Sequence, residues 1–315
     1  MSQNSATIKK FANMVIWFEE HDILYLGLTL AGHAERSIDR TRLKKNLERF
    51  EAKYYASPET CCEILFDLQV TAIDDARVEK PNPRHLLIAL NYLKEYPTDN
   101  NLAGMFGCNE KTAKKWANFY VRKIQALKEH KIKFLFDQPH LHDETFIMTV
   151  DGVHCRICEP RTDPSAKWYS KKFNKAGFAY EVGIAIFHNQ ICWINGPFPA
   201  GHNDMKIFRE DLIHLIPEGK MTLCDMGYRG EPGKCSYRNP FDSKEVKHFK
   251  KRALARQETG NSRLKSFQIL EDRFRTMGPK TPDSLSREEK HRLVFVACAV
   301  IIQYQMDSGR PLFTV

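Results

Sequence analysis

The chain has 315 residues, enough for one large core or for a catalytic domain with a smaller companion. Its 48 Lys and Arg against 39 Asp and Glu give a formal charge of +9, which favours polyanionic partners. No charged segment leads into an apolar run with a cleavage site, the most apolar early run covers only 23–31, and the nine cysteines are an odd number on a long chain; the expectation is a soluble intracellular protein with free thiols, not a secreted, membrane-spanning or disulfide-stapled one.

Up to about residue 140, apolar residues recur every three or four positions, which predicts an all-helical domain over 1–140. Residues 83–96 read as a helix, with Pro83 in the first turn, Leu86, Leu87, Leu90 and Leu93 as a stripe, and Pro97 as the stop. A short helix over 101–106, a turn at Gly107-Cys108-Asn109 and a longer helix over 110–128 follow. Together 84–128 have the proportions of a helix-turn-helix, whose second helix enters the major groove. On the long helix Ala113, Trp116, Ala117, Tyr120, Ile124 and Leu127 form the apolar stripe. That leaves Lys111, Lys114, Lys115, Asn118, Arg122 and Gln125 outward, types that reach phosphates and base edges. An ordinary amphipathic helix with a lysine-rich solvent face has the same pattern, so this segment alone leaves both readings open.

From about 144 the pattern changes to β. Residues 145–153 are rich in β-branched and aromatic types, 178–187 and 190–194 read as a hairpin turned at His188-Asn189, and 221–224 is a short buried strand ending at Asp225. Asn203 caps a helix expected to run to about Leu215, and further helices are expected over 254–275 and 288–304. Strands, helix, strand, helix in this order predict a mixed sheet flanked by helices, an α/β (α+β) domain over 144–315.

Asp151 at a strand end, Asp225 directly after another strand and Glu258 early in the following helix place three carboxylates where a crevice can form. Three carboxylates are what a pair of Mg²⁺ ions needs, because Mg²⁺ takes oxygen ligands and keeps waters and substrate phosphate oxygens in its octahedron. The cluster Lys167, Trp168, Tyr169, Lys171, Lys172 and Lys175 interleaves aromatics with cations beside the first strand, a pattern suited to a stacked base and held phosphates, or to a surface loop anchored by its rings. Cys155 and Cys158 have the gap of a zinc half-site beside His154, but no second pair follows, so packing within the sheet is the expected role.

From about Phe146 onward the chain resembles the PIF/Harbinger-like branch of the DDE transposases. The resemblance rests on Val150-Asp151-Gly152, on Gly201-His202-Asn203-Asp204, on Leu223-Cys224-Asp225-Met226-Gly227-Tyr228-Arg229, and on Arg256-Gln257-Glu258 through Asn261, Leu264 and Lys265. It implies an RNase H-like catalytic domain in which Asp151, Asp225 and Glu258 bind two Mg²⁺ or Mn²⁺ ions and cut and rejoin DNA. It further implies element ends and target DNA as partners, a nuclear location, and an assembly of identical chains or a separate DNA-binding protein as companions. Arg256 and Lys265 join Lys111, Lys114, Lys115, Asn118, Arg122, Lys167, Trp168, Lys171 and Lys172 as expected DNA contacts. Asp204 is a fourth carboxylate near the expected crevice and with His202 has the look of a ligand pair; the expected role is service at the helix start, with Asp204 and His202 as supporting residues and His202 near the phosphate. The alternative is a catalytically silent, transposase-derived DNA-binding protein.

Overall fold

A computed structural model describes residues 15–33, 42–134, 144–160, 165–275 and 284–315. The expected helical domain's positions 1–14, 34–41 and 135–140 lie outside the described residues. The chain divides into two compact units, Met1–His130 and Lys131–Val315.

In the first unit the described residues form helices α1 (Glu20–Leu30), α2 (Leu43–Tyr54), α3 (Pro58–Val70), α4 (Pro83–Glu95), α5 (Asp99–Met105) and α6 (Glu110–Ala126). Gly27 lets α1 meet α2: a Cβ there would lie 2.2 Å from the Phe50 ring, while the Tyr54 hydroxyl donates to the Gly27 carbonyl at 2.9 Å. Thr98 caps α5 and Asn109 caps α6, each accepting a backbone N–H of the first turn. Gly107 turns between them at φ +53°, and the Arg84 guanidinium donates to the Phe106 carbonyl.

The second unit holds six strands, β1 (Phe146–Arg156), β2 (Tyr169–Ser170), β3 (Lys175–Ala185), β4 (Ile191–Pro199), β5 (Met221–Cys224) and β6 (Cys235–Ser236). Its helices include α7 (Asp204–Glu210), α8 (Lys244–Lys265) and α9 (Arg287–Asp307). The sheet runs β2-β3-β1-β5-β6, and β4 also pairs with β3. The β1–β3 and β3–β4 pairs are antiparallel, whereas β1–β5 and β5–β6 are parallel. β3 is buried from Ala176 to Ala185 because helices cover both faces. On one face Phe208 of α7 and Tyr228 pack with Met148, Val150 and Cys224. On the other, Gln257 of α8 meets Thr149 and His291 of α9 meets Tyr180. This is the mixed sheet flanked by helices expected of an RNase H-like fold.

Several boundaries differ from the sequence expectation. The 203–215 helix breaks at Asp211, whose backbone leaves the helical region (φ −133°, ψ −64°) and whose carboxylate accepts from Asn195. α8 starts at Lys244, ten residues earlier than expected, with Ser243 accepting from the Val246 N–H, and it stops at Lys265 before a separate turn, Gln268–Glu271. Among the described residues no helix is long and apolar enough to cross a membrane.

His291 is wholly buried, bonded at 2.7 Å to the Tyr180 hydroxyl and stacked on its ring. Burial, with Arg287 nearby, pushes its pKa down to about 3. Between about pH 3 and 6.5 the unfolded chain therefore binds a proton that the folded chain does not. The stability this contributes is complete above about pH 6.5 and falls by roughly 1.4 kcal/mol per unit as pH drops towards 3. Urea titrations at pH 6.5 and 4.5 should differ by about 2–3 kcal/mol from this residue, and His291→Phe should remove that difference.

Candidate active site

The parallel pairing of β1 with β5 ends at Val150 opposite Cys224, so Asp151 and Asp225 follow side by side. β1 does not end at Asp151, as the sequence implied, but continues to Arg156; it is the neighbouring strand that stops. Asp225 caps the turn Met226–Tyr228, its Oδ1 accepting from the Gly227 N–H at 2.7 Å. Glu258 lies in the second half of α8, not at a helix start, and its side chain is exposed. The three carboxylates line one pocket of about 230 Å³, with Arg238, Leu254 and Gln257.

Hydrogen bonds fix α8, and with it Glu258, against the sheet. Thr149 Oγ1 donates to Gln257 Oε1 (2.7 Å), Gln257 Nε2 donates to the Val182 carbonyl (3.1 Å) and to Asn261 Oδ1 (3.2 Å), and Asn261 Nδ2 donates to Asp151 Oδ2 (2.7 Å). A Cβ on Gly260 would lie 2.2 Å from Ile184 Cδ1, so glycine permits this close approach. Burial raises the Asp151 pKa, Lys172 and the Gly152 N–H oppose that rise, and the charges of Asp225 and Glu258 add to it.

Asp204 stands in the first turn of α7, as expected, and its carboxylate also reaches the site. Asn203 is the cap, accepting from the Met205 N–H, while the Asp204 carboxylate lies over two glycines of the site. A Cβ on Gly152 would come within 2.7 Å of Asp204 Oδ1, and one on Gly227 within 3.3 Å of Oδ2. Its pKa is raised by burial first and by Asp151 and Asp225 in addition, with Lys172 opposing. Beneath it, Glu181 pairs with Gly152 across β1–β3. Burial raises the Glu181 carboxyl to about 8, against a 2.8 Å hydrogen bond from the Trp193 indole. Glu181, Arg238 and the Gln257–Asn261 relay were not assigned roles from sequence; Gly152 within a β pattern was the available sign of something packed close above it. His202 is half-buried with Nδ1 unpartnered and its pKa lowered by burial, and it does not line the pocket.

Among the expected DNA contacts, Lys111, Lys115, Asn118 and Arg122 are exposed on α6, and Lys114 is exposed and ion-paired to Asp99 at 2.8 Å. Lys167, Lys171, Lys172 and Lys265 are exposed, and Lys172 Nζ donates to the Gly152 carbonyl at 2.6 Å, beside Asp151. Two expectations are corrected. Trp168 is buried, edge-on to Phe178 with the Arg287 guanidinium 5.2 Å from its ring, so it anchors the segment and Tyr169 is the exposed aromatic. Arg256 is buried and donates to the carbonyls of Phe313, Ala185 and His188, a structural tie unavailable to DNA.

The pocket also borders Cys224, Met226 and Gln257, but burial pushes the Cys224 thiol well up, so the charged donors are the three carboxylates, a set that suits Mg²⁺ or Mn²⁺. Among the described residues no three His, Cys, Asp or Glu side chains stand as a ready-made ligand group. Asp151 is engaged by Gly152 and Asn261 and Asp225 by Gly227, so metal binding would redirect carboxylates that already share one pocket. Cys155, of the half-zinc pattern, is buried, and His154 bonds Ser170 Oγ at 2.7 Å.

No curated protein and no solved structure gives a significant match to the chain. Residues 150–303, just under half of the chain, match the family described as DDE superfamily endonuclease, a stretch that contains all three carboxylates and that the match supports as a DDE-type endonuclease region.

Proposed function

We propose that this chain is a metal-dependent DNA endonuclease and strand transferase of the DDE transposase type, PIF/Harbinger-like, in which Asp151, Asp225 and Glu258 hold two Mg²⁺ or Mn²⁺ ions. The observation that carries this reading is the shared pocket, lined by carboxylates from two adjacent strands, one within β1 and one directly after β5, and from one helix. When bound, such a metal pair activates water or a 3′-hydroxyl and stabilises the leaving oxygen. The chain's own part is positioning. Asn261 and the Gly152 N–H orient the Asp151 carboxylate, Gln257 pins the helix that carries Glu258, and Lys172 supplies positive charge beside Asp151. The experiment is nicking of supercoiled plasmid: cleavage on adding Mg²⁺ or Mn²⁺ and none in chelator is expected, and a pure preparation that binds DNA but never nicks it with either ion would overturn the reading.

The helical unit is assigned to DNA recognition, with α6 in the major groove and Lys111, Lys115, Asn118 and Arg122 towards the duplex. Replacing Lys111, Lys115 and Arg122 by Ala should lower the slope of log affinity against log salt by up to about 2.7, since each phosphate contact contributes about 0.9. Exposed side chains of this kind leave folding nearly unchanged. Nuclear location, self-assembly and a companion DNA-binding protein belong to the same proposal. A catalytically silent DNA-binding protein is the second reading, favoured by the turn of the Asp225 carboxylate onto its own loop; binding without nicking is its signature.

A further inference from the structure

α8 carries six cations and one acid, Glu245, between 244 and 257, and the structure divides the cations into two groups. Lys250 is buried and held by Asp242 (2.8 Å) and the Tyr237 carbonyl (3.0 Å), Arg252 donates to the Thr314 carbonyl, and Arg256 is consumed by three carbonyls. Lys244, Lys247 and Lys251 are exposed, and among the described residues none of them has an ion-pair partner. Glu245 serves the helix start, its carboxyl held below the usual range by backbone and Ser243 hydrogen bonds.

At 100° per residue, Lys244, Lys247, Lys251, Glu258 and Lys265 fall within an arc of about 60° on α8. The three uncommitted lysines therefore share one exposed face with the carboxylate of the candidate site. They border an open groove of about 940 Å³, floored by Phe249 and by residues 314 and 315, and Lys244 stands at the positive end of the helix dipole. At 1.5 Å per residue the file from Lys244 to Glu258 is about 21 Å long. Over the about 10 Å from Lys244 to Lys251, one strand of a duplex presents about three phosphates.

We infer that this lysine file is a DNA-backbone track that leads the duplex along α8 to the pocket at Glu258. It rests on the nuclease reading above and extends it with a binding surface outside the pocket and outside α6.

The test is fluorescence anisotropy of the full chain with a labelled duplex over a fourfold range of salt. Lys244→Ala/Lys247→Ala/Lys251→Ala should lower the salt slope by about 2.7, so that raising salt fourfold costs about 40-fold less affinity than in the wild type. The Lys→Arg triple should keep the wild-type slope. An unchanged slope in the alanine triple overturns the track while leaving the nuclease reading intact. A wild type that binds with a steep slope, loses it in the triple, but never nicks would keep the track and sink the nuclease. A wild type without salt-dependent DNA binding overturns both.

Discussion

Asp151→Asn, Asp225→Asn and Glu258→Gln should each reduce metal-dependent nicking by about three orders of magnitude or more. Metal-held charge at a phosphoryl centre contributes several kcal/mol to the transition state, and about 4 kcal/mol corresponds to roughly a thousandfold in rate. Duplex binding, measured by anisotropy, should remain close to wild type, because the proposed contacts lie on α6 and on exposed lysines. Stability separates the three. Asp225 and Glu258 are exposed, so their amides should leave the unfolding midpoint in place. Asp151 is half-buried with its carboxyl pKa raised by burial, so the neutral amide should be at least as stable as wild type, a site residue that trades stability for function. A variant that nicks at the wild-type rate would remove its residue from the metal site.

Arg256→Met should destabilise the second unit by about 3–5 kcal/mol. The guanidinium donates to the carbonyls of Ala185 and His188, at the β3–β4 turn, and of Phe313. Methionine keeps the aliphatic volume but leaves these acceptors without a donor, at about 1–3 kcal/mol for each one buried. Arg256→Lys should recover only part of the loss, since one ammonium cannot span the fork of a planar guanidinium. The measurement is the urea midpoint of each variant together with its DNA affinity. A methionine variant with a wild-type midpoint and weakened DNA binding would restore Arg256 to the DNA surface.

The elements with a strong apolar signature were legible in the sequence. The 221–224 run gave β5 and Asp225 directly, and the hairpin at His188-Asn189 is present with strands longer than expected. The start of α8 was not visible, because Lys244–Lys265 begins with a charged stretch whose apolar positions are few; Ser243 was the one local signal. The β pattern over 145–153 stopped short of the strand's end at Arg156, and Gly152 within it is there because the Asp204 carboxylate occupies the place of its side chain. Arg256 and Trp168 were misassigned for one reason. Charge and aromaticity in a sequence say what a side chain can bind, while burial decides whether it is spent internally, and burial arises from contacts with residues far along the chain, such as Phe313 and Phe178.

The backbone from Arg310 to Thr314 accepts from Arg252, Arg256 and Arg263, three successive levels of α8. It works as a brace along the spine that carries Glu258, although no side chain of that segment borders the carboxylate pocket. Cutting the chain before Arg310 would remove the carbonyls that Arg252 and Arg263 donate to and one of the three that Arg256 holds, so a truncation remote from the acidic crevice would slacken one of its three walls while every carboxylate stayed in the sequence.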